Sequence, residues 1–240
     1  MTETTTSTPP AEGLLARAVG MFTAPRKTFE GVIQTPRPAG MLFLVVVIMA
    51  LATAGPQFTD RGRQAALDMQ VQQIEKFTGQ PVSDEAYAQM EQRSKYTAPI
   101  TLVSFFITMP IGALLFGAIY WAVFNALLGG TASFKQVLAI VTHSMIIGAV
   151  GVALGAPIQY AKGTMSSTGP FNLGVLAPML DEKSFLANFL GFINPFQVWG
   201  TIVTAIGLAV LYKRKSTNIA IALLALYGLI AGGVAAWLSR

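Results

Sequence analysis

Apolar positions along this chain fall into two patterns: long runs that stay apolar on every helical face, and shorter stretches where apolar residues recur only every three or four positions. Crossing the hydrocarbon layer of roughly 30 Å takes about 20 apolar residues in a helix, because no water is present to satisfy an irregular backbone. Five segments meet that requirement, at about 38–58, 97–128, 134–158, 195–212 and 218–238. The second is long for one crossing and short for two, since no charge occurs between Tyr96 and Phe134. A turn at Met109 and Pro110 would leave halves of about a dozen residues, too short to span. One helix bent or tilted at Pro110 is therefore expected, with a six-span hairpin as the alternative. Asn194 followed by Pro195 marks the start of the fourth span, as cap and first-turn proline.

Two amphipathic regions lie outside these runs. Leu14, Leu15, Ala18 and Phe22 share one helical face, and a second short helix beginning at Pro25 carries Phe29, Val32 and Ile33. With Arg17, Arg26 and Lys27 beside them, these helices over 13–37 suit an anionic membrane surface. Between the first two spans, over 59–96, Leu67, Val71 and Ile74 form one stripe, and Tyr87 and Met90 begin another after a break at Gly79 to Pro81. Ser83 is placed to cap the later helix, with Asp84 and Glu85 in its first turn. The segment reads as a helical hairpin leading into the second span. It is either a docking surface, with Leu67, Val71, Ile74, Tyr87 and Met90 as candidate contacts, or a solvated spacer.

Composition narrows the class. Of 240 residues 53% are hydrophobic and only 11% charged, against about 25% charged in ordinary soluble proteins. The fold class expected is an all-α polytopic membrane bundle. No cysteine is present, which excludes disulfides, thiolate metal sites and a cysteine nucleophile. The basic residues mostly flank apolar runs instead of clustering on one face, which argues against nucleic acid as a partner. Arg17, Arg26, Lys27 and Arg37 precede the first span, Lys135 follows the second, and Lys213, Arg214 and Lys215 follow the fourth. With five crossings all of these share one side, so the N-terminus is expected in the cytoplasm and the C-terminus outside. Trp199, Tyr212 and Trp237 fall toward the interfaces on this plan. Residues 1–12, rich in Thr, Ser and Pro, read as a disordered cytoplasmic tail with no secretory signal.

Three stretches resemble the Yip family of small multispan proteins, named for interaction with Ypt and Rab GTPases. They are FTAPRKTFEGVIQTP at 22–36, GGTASFKQVLAIVTHS at 129–144 and NPFQVWGTIVTAIGLAV at 194–210. The resemblance implies five spans and a cytoplasmic N-terminus over a domain covering 38–240, and brings no catalytic motif. In eukaryotic members it implies vesicle trafficking through GTPases. The charged, Gln-rich segment 60–95 resembles the bacterial branch, where an inner-membrane location is implied and no Rab system is expected.

Candidate chemistry is sparse. His143, the only histidine, falls within the third span and, with Asn125, marks a candidate intramembrane polar site; a neutral imidazole bonding across a helix interface is the plainer reading. A serine–histidine hydrolase would need Ser104 or another serine beside it, and Ser144 points roughly 100° away on the same helix. Thr108 and Thr142 read as hydroxyls bonded to their own helices. Gly151 with Gly155, and Gly228 with Gly232, have the spacing that lets helices approach closely, inside the fold or in a homo-oligomer. No carboxylate falls within a span and no phosphate-binding loop occurs. The expectation is a non-enzymatic protein without cofactor, a scaffold or accessory subunit that works in the lipid bilayer with a membrane-protein partner. The alternative is a component of a small-solute, lipid or ABC-type transport system.

Overall fold

A computed structural model describes residues 13–166, 168–181 and 183–239; the tail 1–12 and Arg240 lie outside the described residues. Among the described residues the regular structure is entirely helical. Five helical stretches are long and apolar enough to cross a membrane. The spans are α3 (Pro38–Ala54), α6 (Thr97–Ala122), α7 (Phe134–Lys162), α9 (Pro195–Tyr212) and α10 (Ser216–Leu238). Before them come α1 (Leu14–Thr23) and α2 (Pro25–Gln34); α4 (Asp60–Thr78) and α5 (Asp84–Arg93) join α3 to α6, and α8 (Phe185–Phe192) precedes α9.

The segment left open in the sequence is one helix. α6 runs through Pro110 and continues into a π-turn at Val123–Leu127, so the chain has five spans and not six. Its faces carry exposed Ile100, Ile107, Ile111 and Leu115, the apolar surface that a helix presents to lipid. The break after it depends on two glycines for different reasons. Gly129 adopts φ +70°, a conformation that only Gly enters cheaply. At Gly130 a Cβ would stand 2.5 Å from the Tyr212 ring, which stacks on Phe124 with centroids 4.7 Å apart.

α7 is the axis of the bundle. Its N-terminus carries a capping box, Ser133 with Gln136, which satisfies two otherwise orphaned N–H groups. It packs against α3, α6 and α9 and buries Val137, Ile140, Ile146 and Ile147. At Gly151 a Cβ would stand 2.6 Å from the Phe196 ring, so the missing side chain lets α9 close on α7. α9 starts as its sequence suggests, with the Asn194 side chain accepting from Phe196 N at 2.9 Å.

The faces of α1 and α2 expected to rest on a membrane surface are divided. Met21, Phe29 and Val32 are fully buried against the bundle, whereas Leu14, Leu15 and Val19 stay exposed. Phe29 reaches α9 where Gly207 leaves room, and the Phe22 ring meets Trp199 edge-on at 5.2 Å. Trp199 and Gly207 are about two turns apart, so this helix pair leans along the side of α9. Arg17, 3% exposed, donates to the Thr35 carbonyl at 3.0 Å and to its hydroxyl at 2.5 Å. It thereby closes the C-terminus of α2 onto α1, a structural role beyond that of a charge flanking a span.

The two ends of the bundle differ in charge. One end gathers the α1–α2 pair, the break after α6 and the α9–α10 turn, joined by Gln136 to the Ile33 carbonyl at 3.3 Å and Arg214 to the Leu128 carbonyl at 3.1 Å. Among described residues this end has eight basic side chains and one acidic, and the other has seven of each. The balanced end holds α4, α5 and α8. Arg61 of α4 donates to the Ala161 carbonyl at 2.6 Å and lies over the Tyr160 ring. Phe77 meets Trp237 of α10 at 5.3 Å.

Candidate functional site

The polar groups singled out in the spans do not assemble into one site. His143 is fully buried, and its Nδ1–H donates to the Ala139 carbonyl at 2.7 Å. Its Nε2 has no hydrogen-bond partner among the described residues. Asn125 lies on the π-turn at the end of α6, where its amide donates to the Ala132 carbonyl at 2.7 Å, beside the Trp121 indole at 3.0 Å. His143 lies nine residues into α7, about 13 Å deeper along the helix. Asn125 thus braces the turn, and His143 packs within the helix bundle.

The hydroxyls serve their own helices. Ser144 donates to the Ile140 carbonyl at 2.9 Å, Ser104 to Thr101 at 2.7 Å, Thr108 to Ser104 at 2.8 Å and Thr142 to Ala139 at 3.2 Å. Among the described residues no hydrogen bond joins a serine to His143. A proton-relay geometry, in which a base contacts a nucleophile, is not formed by these groups.

The glycine pairs separate. Gly151 and Gly155 lie against Phe196 and Pro170 within the fold, whereas Gly228 has nothing within 4 Å and Gly232 touches only Phe189 at 4.0 Å. Of the docking candidates, Leu67 is 3% exposed and belongs to the packed base of α4, while Ile74 is 41% exposed. Val71, Tyr87 and Met90 are half-buried. Ser83 caps α5 by accepting from Ala86 N at 3.3 Å. Tyr87 is tied to Gln64 at 3.1 Å and Val82 N to Glu75 at 3.1 Å. The return chain therefore runs back along α4, and Tyr87 meets the start of that helix rather than Ile74.

The site that sequence reasoning missed lies at the balanced end: a cavity of about 690 Å³ bounded by α3, α6, α7, α9 and the loop before α8, with Met69 of α4 and Tyr227 of α10 at its edges. α6 packs on α3 and α7, and α10 packs on α9 and α8. The α7 face carrying Gly148, Val152 and Gly155 forms the floor between these two groups. Their spacing of four and three residues places them on one helical face. Polar side chains collect toward one rim. Gln57 donates to the Thr53 carbonyl at 3.1 Å and accepts from Thr101 at 3.0 Å; Gln159 accepts from Ser166 N at 2.6 Å. The Tyr227 hydroxyl donates to the Phe192 carbonyl. α8 was also missed, although Ser184, which accepts from Ala187 N at 3.2 Å, followed by FLANFLGF, is a readable cap and apolar helix.

Comparison with curated proteins and with solved structures returned no match. The family model described as Yip1 domain matches residues 19–238. That interval takes in α2, all five spans and the double-glycine break, which makes this chain a member of the Yip1 domain family of integral membrane proteins.

Proposed function

We propose that this Yip1 family protein is a non-enzymatic scaffold or accessory subunit that docks another membrane protein through α4 and α5. The observation that carries this is the outward half of that segment. Burial along α4 stops at Leu67, and α5 has no buried residue. A helix of ten residues has marginal stability in water by itself, and exposed Ile74 and half-buried Met90 offer an apolar contact beyond the bundle's own surface. The non-enzymatic reading is supported by His143 and the span hydroxyls being committed to backbone carbonyls.

The strongly basic end belongs in the cytoplasm, because Lys and Arg close to span ends favour that side. The N-terminus is then cytoplasmic, and α4 and α5 face outward, with a bacterial inner membrane as the setting. The lateral cavity is the one observation favouring a second reading, a component of a lipid-handling transport system. Docking is tested by affinity purification in mild detergent with quantitative mass spectrometry, comparing wild type with the double variant Ile74→Lys, Met90→Lys. Docking requires a co-purifying membrane protein to fall away from the variant while the protein accumulates normally; equal recovery from both would overturn it.

A further inference from the structure

We propose that the lateral cavity holds an uncharged, hydroxyl-bearing glycerolipid of the diacylglycerol class. The proposal goes beyond the docking reading and does not depend on it. The first argument is size. At about 690 Å³ the cavity lies inside the roughly 300–1,000 Å³ range of small-molecule sites. That volume takes the glycerol and ester region with the first part of two acyl chains, whose ends stay in the bilayer; it is too small to enclose a partner's spanning helix, which would need roughly 2,400 Å³.

The second argument is the chemistry of the lining. Met49, Phe105, Met109 and Phe196 make an apolar wall over the glycine floor, and thioether side chains adapt readily to an irregular chain. None of the lining residues is charged. A phosphate headgroup would find no cation in the lining itself; Arg61 stands outside it, donating to the Ala161 carbonyl and lying over the Tyr160 ring. An ammonium group would equally lack a carboxylate. What the rim does offer is neutral hydrogen bonding. The Gln159 amide nitrogen makes no hydrogen bond among the described residues, while its oxygen accepts from Ser166 N. Gln197, exposed in the first turn of α9, makes no side-chain hydrogen bond among the described residues. Amide donors and acceptors beside an apolar wall match ester and hydroxyl groups above acyl chains.

The third argument is access. The cavity lies between the α3–α6 and α9–α10 groups and reaches Met109 and Gly148, half-way along α6 and α7, so on the proposal a lipid enters sideways from the bilayer without its chains crossing water.

The test uses the full-length protein in phosphatidylcholine vesicles with photoreactive diacylglycerol or, in parallel, photoreactive phosphatidylglycerol bearing the same acyl probe. Cross-linked peptides are mapped by mass spectrometry. Diacylglycerol should label α7 around Gly148 to Ala156 and α6 around Phe105 to Met109, in competition with unlabelled diacylglycerol; phosphatidylglycerol should label only the exposed faces of α6 and α10. At Gly148 a Cβ meets nothing within 4 Å, so Gly148→Leu should fill the cavity without strain and cut its labelling about tenfold, leaving the α10 face unchanged. If Gly148→Leu lowers the melting temperature, Gln197→Leu, at an exposed position, carries the same directional expectation. Equal labelling of the cavity by phosphatidylglycerol, or cavity labelling undiminished in the folded variant, overturns the proposal. Ile74→Lys should leave lipid labelling untouched, which separates failure of this inference from failure of docking.

Discussion

Removing the Phe29 ring tests whether α2 is built into the bundle or merely rests on lipid. Phe29 is fully buried, and an added Cβ at Gly207 would stand 3.0 Å from its ring and 2.5 Å from Ile140. Truncating a buried Phe to Ala costs about 3–5 kcal/mol through lost contacts and the residual cavity. At about 2–4 °C per kcal/mol for a chain of this size, melting in detergent should fall by roughly 6–20 °C. Gly207→Ala alone should cost about 1–3 kcal/mol by overpacking. The double variant is the sharper measurement, because Ile140 gains room to swing into the space that the ring vacates. It should be less destabilised than the sum of the singles, with a coupling of about 0.5–3 kcal/mol. A ring resting on lipid would give a Phe29→Ala variant within about 0.5 kcal/mol of wild type. That result, or strict additivity with Gly207→Ala, would refute the packing described for α2.

The remaining expectations concern orientation, His143 and the α7–α9 contact. Single cysteines at Ser83, Ser216 and Ser239 should react with an impermeant maleimide in intact cells at the first and third positions only; labelling at Ser216 would reverse the orientation. His143→Gln should keep partner recovery at the wild-type level and lower stability by about 1 kcal/mol through its altered bond to Ala139; lost recovery with unchanged melting would restore a chemical role. Gly151→Leu should sharply reduce folded yield, because its Cβ would stand 2.6 Å from the Phe196 ring, whereas Gly228→Leu, with open space around it, should be tolerated in a folding assay.

The spans were legible because membrane thickness converts directly into a residue count, and α6 resolved as one helix for the reason the arithmetic suggested. The caps at Ser83 and Asn194 were legible because each needs only one side-chain oxygen and a backbone N–H two or three residues on. The environment of α1 and α2 was not. Helical periodicity tells which face is apolar, but lipid and a neighbouring helix cover such a face equally well. What distinguishes Phe29 from Leu15 is Gly207, far along the chain. Arg17 shows the same limit for charge: beside a span it reads as a topology signal, and only the fold brings the Thr35 carbonyl to it.

The cavity was hidden for a related reason. Gln57, Gln159, Asn194 and Gln197 lie near the ends of three different helices, α3, α7 and α9, where polar residues occur anyway as a chain leaves the membrane. Read singly, each is an ordinary boundary residue; only the closing of α9 on α7 sets them around one space. The glycines of α7 were legible only in part: Gly151 and Gly155 announce close packing and do provide it, against Phe196 and Pro170. Gly148, one turn before Gly151 on the same helix, has nothing within 4 Å of a built Cβ. A bundle optimised only for contact would fill that position, because an interior Gly costs roughly 1 kcal/mol against Ala in a helix. Leaving both the side chain and the space vacant favours an occupant there, and a Gly148→Ala variant supplies the measurement. It should gain stability in lipid-free detergent from helix propensity and lose some of that gain when diacylglycerol is added. An equal gain under both conditions would mean that the space has no ligand to lose.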